Sequence, residues 1–158
     1  MEYISYDEEY SWTGENTGYT INLTPDTTTT NPPAIKNGAL PGEYALGQFH
    51  IHWGSSDIGG AEHTVDGVRH FGEIHLVHYN TNYAGISDAL ADNNGLAVIG
   101  FFLEVDEEKE KNGAVDDLIQ SMQNELIYKG DQFNFDLSPV GSFKLEDIFG
   151  KKLGNFYR

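Results

Sequence analysis

His50 and His52 stand two positions apart in a segment where polar and apolar residues alternate. In an extended strand successive side chains point to opposite faces, so both imidazoles share one face, with Gln48 before them. Phe49 and Ile51 fall on the other, apolar face, which indicates packing against a core. A His-x-His pair alone is more typical of two hydrogen-bonded imidazoles. Beside a core, two adjacent imidazoles are costly unless a ligand satisfies them, which favours a metal site.

A catalytic zinc site needs a third protein ligand and an open position. The remaining candidates are His63, His70, His75 and His78. A ligating histidine usually donates its second ring N–H to a nearby acceptor. Gln48 precedes His50 by two residues. Glu73 precedes His75 by the same spacing, whereas a leucine holds that place before His78. The repeated pattern selects His75 as the third ligand and predicts that His78 is a buried structural imidazole. His63 follows Glu62 and is expected to brace a loop rather than to bind metal.

Three neutral imidazoles leave the charge of a Zn²⁺ ion uncompensated, which lowers the pKa of a bound water towards neutrality. The pattern therefore predicts one zinc ion as cofactor and a hydroxide nucleophile. Val77 shares a strand face with His75, and Leu96 and Val98 share a face of an apolar strand. Such an apolar wall suits a small uncharged substrate, although these three residues alone are more typical of plain core.

The elements that must position these residues are predicted to be mostly strands. Three strands are expected, at residues 43–53, 73–79 and 95–105, the last apolar on both faces and therefore buried in a sheet. Apolar residues recur at three- and four-residue steps between Val115 and Leu126, which predicts an amphipathic helix. The other predicted elements are a loop at 24–42, turns at 55–60 and 106–112, a short strand at Phe133 and Phe135, and a helical turn at 145–149.

These elements predict a mainly β (α+β) chain, built as a single domain around a large twisted, mostly antiparallel sheet with a few peripheral helices. A length of 158 residues suits one domain. No apolar run is long enough to span a membrane. With no cysteine, the chain has neither thiolate metal sites nor disulfides, so His, Asp or Glu must hold any transition metal.

The charge balance excludes some classes of partner. Lys plus Arg number 9 and Asp plus Glu number 25, for a net charge of −16. Such a chain repels phosphate backbones and anionic membrane surfaces, so neither nucleic acid nor a membrane is an expected partner. The acidic clusters lack the residue order of a calcium loop and are typical of a solvated surface.

Four segments carry a resemblance to a known family. They are QFHIHWG at 48–54, EHTVD at 62–66, EIHLVHYN at 73–80 and GLAVIG at 95–100, with LPGEY at 40–44 before them. In order and spacing they resemble the alpha class of carbonic anhydrases, and the likeness runs from about Ser11 to the end of the chain. The resemblance implies an alpha-carbonic-anhydrase-like fold and a zinc lyase that reversibly hydrates CO₂ to bicarbonate and a proton. The implied partner is this small-molecule substrate.

The resemblance also implies a role for each matching residue. The zinc ligands are His50, His52 and His75, with Gln48 and Glu73 as acceptors for His50 and His75. Glu62 would orient a threonine hydroxyl that hydrogen-bonds the zinc-bound group. The CO₂ pocket is lined by Val77, Leu96 and Val98. The solvent network and proton shuttle fall in the segment that contains Asn16, Thr17, Tyr19 and Asn22.

The sequence departs from the family pattern in three places. Tyr19 stands where the fastest members carry histidine, and a phenol with a pKa of about 10 is a poor proton relay at neutral pH. We therefore expect slow, buffer-dependent turnover. The family's Thr-Thr-Pro-Pro segment does not occur, and residues before Ser11 match poorly. Residues 1–158 are thus expected to be a partial domain that a second chain or a missing segment completes, which leaves open whether this chain alone is active.

Two other functions compete with the enzyme. The first is a non-catalytic domain on the same scaffold, such as an acidic mineral-associated matrix domain; its acidity and shortness favour it, and the presence of all three histidines favours the enzyme. The second is a cupin-type oxygenase, which needs a glutamate shortly after the His-x-His pair, where Ser55, Ser56 and Asp57 stand instead. The acidity and the threonine-rich loop favour an extracellular over a cytoplasmic location.

Overall fold

The computed structural model describes residues 1–28, 31–55, 59–104, 113–135 and 141–149, which contain ten strands and three helices. The strands are β1 (Glu2–Ile4), β2 (Trp12–Asn16), β3 (Ile21–Pro25), β4 (Ala34–Lys36), β5 (Tyr44–Trp53), β6 (Thr64–Val65), β7 (Val68–Arg69), β8 (Gly72–Asn80), β9 (Leu96–Leu103) and β10 (Gln132–Asn134). The helices are α1 (Ile86–Ala89), α2 (Gly113–Glu125) and α3 (Leu145–Phe149). None of the helices in these described ranges has the length and apolar character needed to cross a membrane.

Eight of the described strands form one antiparallel sheet around a central β5–β8 pair. One edge of β5 pairs with β8 along most of its length, and β9 pairs with the far edge of β8. The other edge of β5 pairs with β4 near its start and with β3 near its end. Beyond β3 lie β2 and β10, and beyond β4 lies β1. The expected mainly β, mostly antiparallel architecture with few helices is confirmed.

The alternation in β5 decides which side chains enter the core. Phe49 and Ile51 are buried on one face of the strand, while Gln48, His50 and His52 are half-buried on the other. Burying each of the large apolar side chains contributes roughly 1.5–3 kcal/mol, so a one-residue slip that turned them to solvent would be strongly disfavoured. The core under β5 therefore fixes the direction in which its histidines point.

An aromatic cluster of Trp12, Phe49 and Phe143 packs beneath this apolar face. The rings of Trp12 and Phe143 are stacked, with centroids 4.9 Å apart and planes at 8°. The Phe49 ring meets Trp12 edge-on, with centroids 5.1 Å apart. The indole N–H of Trp12 donates to the carbonyl oxygen of Phe143 at 3.1 Å, so its polar atom is satisfied inside the core. The cluster ties β2 and the segment before α3 to the back of β5.

The prediction of a continuous loop over residues 24–42 is wrong in two places. Residues up to Pro25 belong to β3, and Ala34–Lys36 forms β4 between β1 and the start of β5. Ile35 is completely buried there and lies opposite Tyr44. The neighbouring prolines and the threonine run indicated exposed chain, but burial of one isoleucine and pairing on both sides outweigh that local preference.

The strand predicted over residues 95–105 forms as β9, but the prediction that it is buried on both faces is wrong. Val98 and Phe102 are 53% and 38% exposed on the face that β9 shares with His75. An apolar strand is buried on both faces only where a second layer covers each of them. Within the described residues, one side of β9 packs on the core and the other side opens to solvent.

The shorter elements follow the sequence predictions in part. The expected helix forms as α2 and the expected helical turn as α3, while β10 contains Phe133 and ends before Phe135. Strands β1 and β2, the β6–β7 hairpin and α1 were not predicted. The turn predicted at 106–112 lies outside the described residues. Of the turn predicted at 55–60, residues 56–58 also lie outside them.

His78 is a buried structural imidazole, as predicted. Its Nε2 lies 2.6 Å from the hydroxyl oxygen of Tyr6, and its Nδ1 lies 3.1 Å from the carbonyl oxygen of Leu76 and 3.3 Å from that of Ala97. Carbonyl oxygens only accept, so Nδ1–H donates to them and Nε2 accepts from the tyrosine. Burial lowers the pKa of His78 to about 4, against the opposing effect of the two carbonyl groups.

This buried imidazole predicts an acid-sensitive stability. The folded-state pKa of about 4 lies below the ordinary value of 6.5. As the pH falls from 6.5 to 4, His78 is therefore protonated in the unfolded chain before it is protonated in the folded chain. Stability is therefore lost as the pH falls from 6.5 towards 4. Between pH 7 and pH 4, the unfolding free energy of the zinc-free wild type should fall by roughly 3 kcal/mol more than that of His78→Gln. Urea denaturation followed by circular dichroism measures both, and equal losses would contradict the assignment.

Candidate metal centre

The middle of the sheet places the metal-ligating candidates in one row. Antiparallel pairing sets His50 of β5 opposite His75 of β8, and His75 opposite Gly100 of β9. Asn22 of β3 lies opposite His50 on the other side. Because directly paired residues point to the same face, His50, His75 and Asn22 share one face, and His52 joins them two residues along β5.

The three histidine rings converge on one point of this face. The ring centroids of His50 and His52 are 5.0 Å apart, those of His50 and His75 are 5.2 Å apart, and those of His52 and His75 are 4.6 Å apart. One nitrogen from each ring lies within 4.8 Å of the others. Such nitrogens are close enough to share one ion. The structure thus brings together the three residues that the sequence selected as ligands.

Acceptors next to two of the rings decide which nitrogen faces the centre. His50 Nδ1 lies 3.0 Å from the amide oxygen of Gln48, and His75 Nε2 lies 2.7 Å from Oε1 of Glu73. Each of these nitrogens donates its N–H, because a carbonyl or carboxylate oxygen accepts. The opposite nitrogens, Nε2 of His50 and Nδ1 of His75, are therefore unprotonated and available to a metal.

His52 supplies the observation that tests whether these residues fit a metal. Its Nε2 is buried and has no hydrogen-bond partner among the described residues. Oε2 of Glu62 is 3.7 Å away, which is beyond hydrogen-bond length. A buried nitrogen without a partner costs free energy, and a metal ion would satisfy it. Three imidazole nitrogens form a donor set that suits zinc, so the residues present fit this ion.

The electrostatics of the site favour neutral imidazole and ionised carboxylate. Burial and, to a smaller extent, the positive charges that His75 and His52 would carry lower the pKa of His50 to about 4, against the opposing effect of the Glu62 carboxylate. Burial alone would raise the pKa of Glu73, but N–H groups of His63 and His75 hold it below its ordinary value. At neutral pH His50 is thus unprotonated, as a metal ligand must be, and Glu73 is an anion that accepts from His75.

His63 adds a contact that the sequence indicated only in outline. It was predicted to brace a loop, and in the structure it braces Glu73. Its backbone N–H donates to Oε2 of Glu73 at 2.9 Å, and its Nδ1 donates to Oε1 at 2.8 Å. The glutamate is only 3% exposed, and its carboxylate accepts from two histidines at once. No periodic pattern could link His63 to Glu73, because the contact depends on how the segment before β6 returns to β8.

Glu62 lies at the edge of the same site. Its Oε2 is 3.6 Å from Nδ1 of His75, on the side that faces the other two rings, and its side chain is exposed. Glu62, His63 and His75 form a second group whose ligand atoms lie within 4.8 Å of one another. This second group uses two exposed residues, and Glu73 already engages His63. The group of three histidines, which contains the unsatisfied nitrogen, is therefore the better metal site.

The residues expected to line a substrate pocket lie beside the histidines. Val77 follows His75 on the same face of β8 and is buried. Val98 of β9 lies directly opposite Val77 and is exposed, and Leu96 is half-buried two residues before it. Together they form an apolar surface next to the metal site, open to solvent on the side of β9 in the described part of the chain.

The residues of the segment expected to hold the solvent network lie in different places relative to the three histidines. Asn22 lies in the row of the ligands, opposite His50. Tyr19 is 91% exposed at the turn between β2 and β3. Thr17 closes this turn through a hydrogen bond to the carbonyl oxygen of Thr20 at 2.9 Å. The side chain of Asn16 points towards Leu126, because its amide donates to the carbonyl oxygen of that residue at 2.9 Å.

Comparison with known proteins identifies the family. The family model described as "Eukaryotic-type carbonic anhydrase" matches residues 1–158. The chain is 47% identical over 105 residues to a protein named Carbonic anhydrase 3 from Homo sapiens, and 45% identical over 106 residues to its namesake from Rattus norvegicus. The protein of the same name from Bos taurus is 44% identical over 105 residues.

The aligned regions cover part of each protein. They span 66% of this chain for the human and bovine relatives and 67% for the rat relative, and 40% of each relative. The chain thus matches about two fifths of the length of these curated relatives. The family model nevertheless extends over the whole chain, including every residue of the histidine site. The chain belongs to the eukaryotic-type carbonic anhydrase family.

Proposed function

We propose that this chain carries the zinc site of a carbonic anhydrase and takes part in the reversible hydration of CO₂ to bicarbonate and a proton. One observation carries the proposal. Three imidazoles from β5 and β8 converge, and the buried Nε2 of His52 has no other partner in the part of the chain that the structure describes. His50, His52 and His75 would hold the ion, and membership of the family supports zinc as its identity.

The chain's own residues prepare this site before any ion binds. Gln48 and Glu73 fix the tautomers of His50 and His75, so that both present an unprotonated nitrogen to the centre. A zinc ion held by three neutral imidazoles would supply Lewis acidity and a hydroxide nucleophile near neutral pH. With its ligands held in place by the strands, the site loses little free energy to reorganisation on binding.

The apolar surface next to the histidines suits CO₂ as the substrate. Val77 and Val98 lie opposite each other on β8 and β9, and Val77 is two residues along β8 from His75 on the same face. A small molecule without charge or hydrogen-bond donors gains from apolar contact and requires no charged partner. We propose that Val77, Leu96 and Val98 hold CO₂ beside the metal. Oε2 of Glu62 faces Nε2 of His52 and Nδ1 of His75, and we propose that it orients a hydroxyl group next to these two nitrogens.

Proton transfer is the step that this site supports least. Tyr19 is exposed on the turn before Asn22, and a phenol is a weak acid at neutral pH. We propose that protons leave by way of buffer molecules, with Asn22, in the ligand row, ordering solvent. Asn16 and Thr17 contribute by holding the turn that carries Tyr19, since Oδ1 of Asn16 accepts from the N–H of Gly18 and the Thr17 hydroxyl donates to the carbonyl oxygen of Thr20.

The test is to measure zinc content and hydration rate on the same preparation. The chain, reconstituted with zinc, should bind one ion and should hydrate CO₂ in a stopped-flow indicator assay. A sulfonamide inhibitor should abolish the activity, and added imidazole buffer should increase the rate. One bound zinc with no hydration would favour the non-catalytic domain, whereas absence of zinc binding at micromolar zinc would reject the metal site itself.

A further inference from the structure

Gly100 lies against the metal site, at the end of the ligand row on β9, directly opposite His75. Its φ angle is not in the left-handed region, so the backbone here would accept an alanine. The need for glycine at this position is therefore a matter of space. A Cβ atom at residue 100 would lie 2.8 Å from Oε1 of Glu73, and 3.7 Å from Nε2 of His75.

The carboxylate of Glu73 occupies the space that a side chain at residue 100 would need. Its Oε1 accepts from Nε2 of His75 at 2.7 Å and from Nδ1 of His63 at 2.8 Å, and its Oε2 accepts from the backbone N–H of His63 at 2.9 Å. A carbon atom 2.8 Å from Oε1 would overlap it. The carboxylate cannot move away without breaking the hydrogen bonds that hold it.

We infer that Gly100 is a positioning residue for the metal site, because its missing side chain lets the Glu73 carboxylate lie against His75. The inference rests on the proposed zinc site and extends it to a residue on a third strand. With the carboxylate in place, His75 donates from Nε2 and presents Nδ1 to the centre. With the carboxylate displaced, the tautomer of His75 is no longer fixed.

The inference is tested with Gly100→Ala. Zinc affinity, measured by competition with a chromophoric chelator, should fall about 10- to 100-fold, which is the range expected for losing an outer hydrogen-bond partner of a ligand. Gly85→Ala is the matched control, because Gly85 also has an extended φ and a Cβ there would meet no atom of the described residues within 4 Å. This control should leave zinc affinity unchanged.

A double-mutant cycle separates the proposed route from a general disturbance of the sheet. In a Glu73→Ala background the carboxylate is absent, so adding Gly100→Ala should lower zinc affinity less than about twofold further. An equal loss in both backgrounds would overturn the inference. If Gly100→Ala fails to fold, the double variant should fold, and failure of both would equally reject the steric explanation.

A measurement without metal keeps this inference separate from the proposed function. Long-range ¹H–¹⁵N spectra of the zinc-free protein report the tautomer of each imidazole. His75 should carry its proton on Nε2 in the wild type and in Gly85→Ala, and should lose this preference in Gly100→Ala. An unchanged His75 tautomer would reject the role of Gly100 even if zinc binds, whereas a wild type that binds no zinc would reject the site but leave the tautomer result standing.

Discussion

Replacing His52 by alanine should lower zinc affinity by roughly a thousand-fold. Zinc binding to a full set of protein ligands is worth about 10–16 kcal/mol, so the share of one ligand is about 4 kcal/mol, or three powers of ten. In the zinc-free protein the same change should alter the unfolding free energy by less than about 1 kcal/mol, because within the described ranges Nε2 of His52 has no hydrogen bond to lose. Chelator competition and urea denaturation measure the two effects.

His63→Ala is the matched control for this experiment. It removes an imidazole from the alternative group formed with Glu62 and His75, while the three converging histidines remain. Because His63 holds Glu73, its loss should lower zinc affinity about tenfold, at the lower end for an outer contact. A larger loss of affinity in His63→Ala than in His52→Ala would place the metal in the alternative group.

Replacing Trp12 by alanine should lower the unfolding free energy by about 3–5 kcal/mol, the range for truncating a buried aromatic residue. Trp12 is completely buried, stacks on Phe143 and donates its indole N–H inside the aromatic cluster. Domains of this size are stable by only about 5–15 kcal/mol, so the loss is a large part of the total. Urea denaturation followed by far-UV circular dichroism measures it without relying on tryptophan fluorescence.

The second tryptophan of the chain provides the control. Trp53 ends β5 and is 55% exposed. Trp53→Ala should therefore cost less than about 1 kcal/mol, since most of the side chain is already in contact with water. If both variants lost the same stability, the aromatic cluster would not be the main anchor of β2 on β5.

The parts of the site that follow a local repeat could be predicted from the sequence. The two-residue period of β5 places Gln48, His50 and His52 on one face, and the same period in β8 relates Glu73 to His75. A strand period is a property of the backbone, so it holds wherever the strand is placed. The acceptor-before-ligand spacing therefore pointed to His75, whose ring meets the other two in the structure.

Contacts between distant segments could not be predicted in this way. His63 approaches Glu73 because the chain turns back before β6, and Tyr6 reaches His78 across 72 positions. Gly100 did give a local signal, since an isolated glycine in an apolar strand often marks a close approach of another group. The exposure of Val98 depends on what covers β9, which a strand's own composition does not encode.

The direct opposition of His50 and His75 has a consequence for how the two central strands find each other. A slip of one residue would turn His50 and His52 away from the face that carries His75. An ion shared by both strands therefore binds only the native register, and it adds its binding free energy to that arrangement alone. The metal would thus stabilise the correct alignment of the two strands over a shifted one. Amide protons across the β5–β8 pair would then exchange with solvent more slowly once the metal is bound.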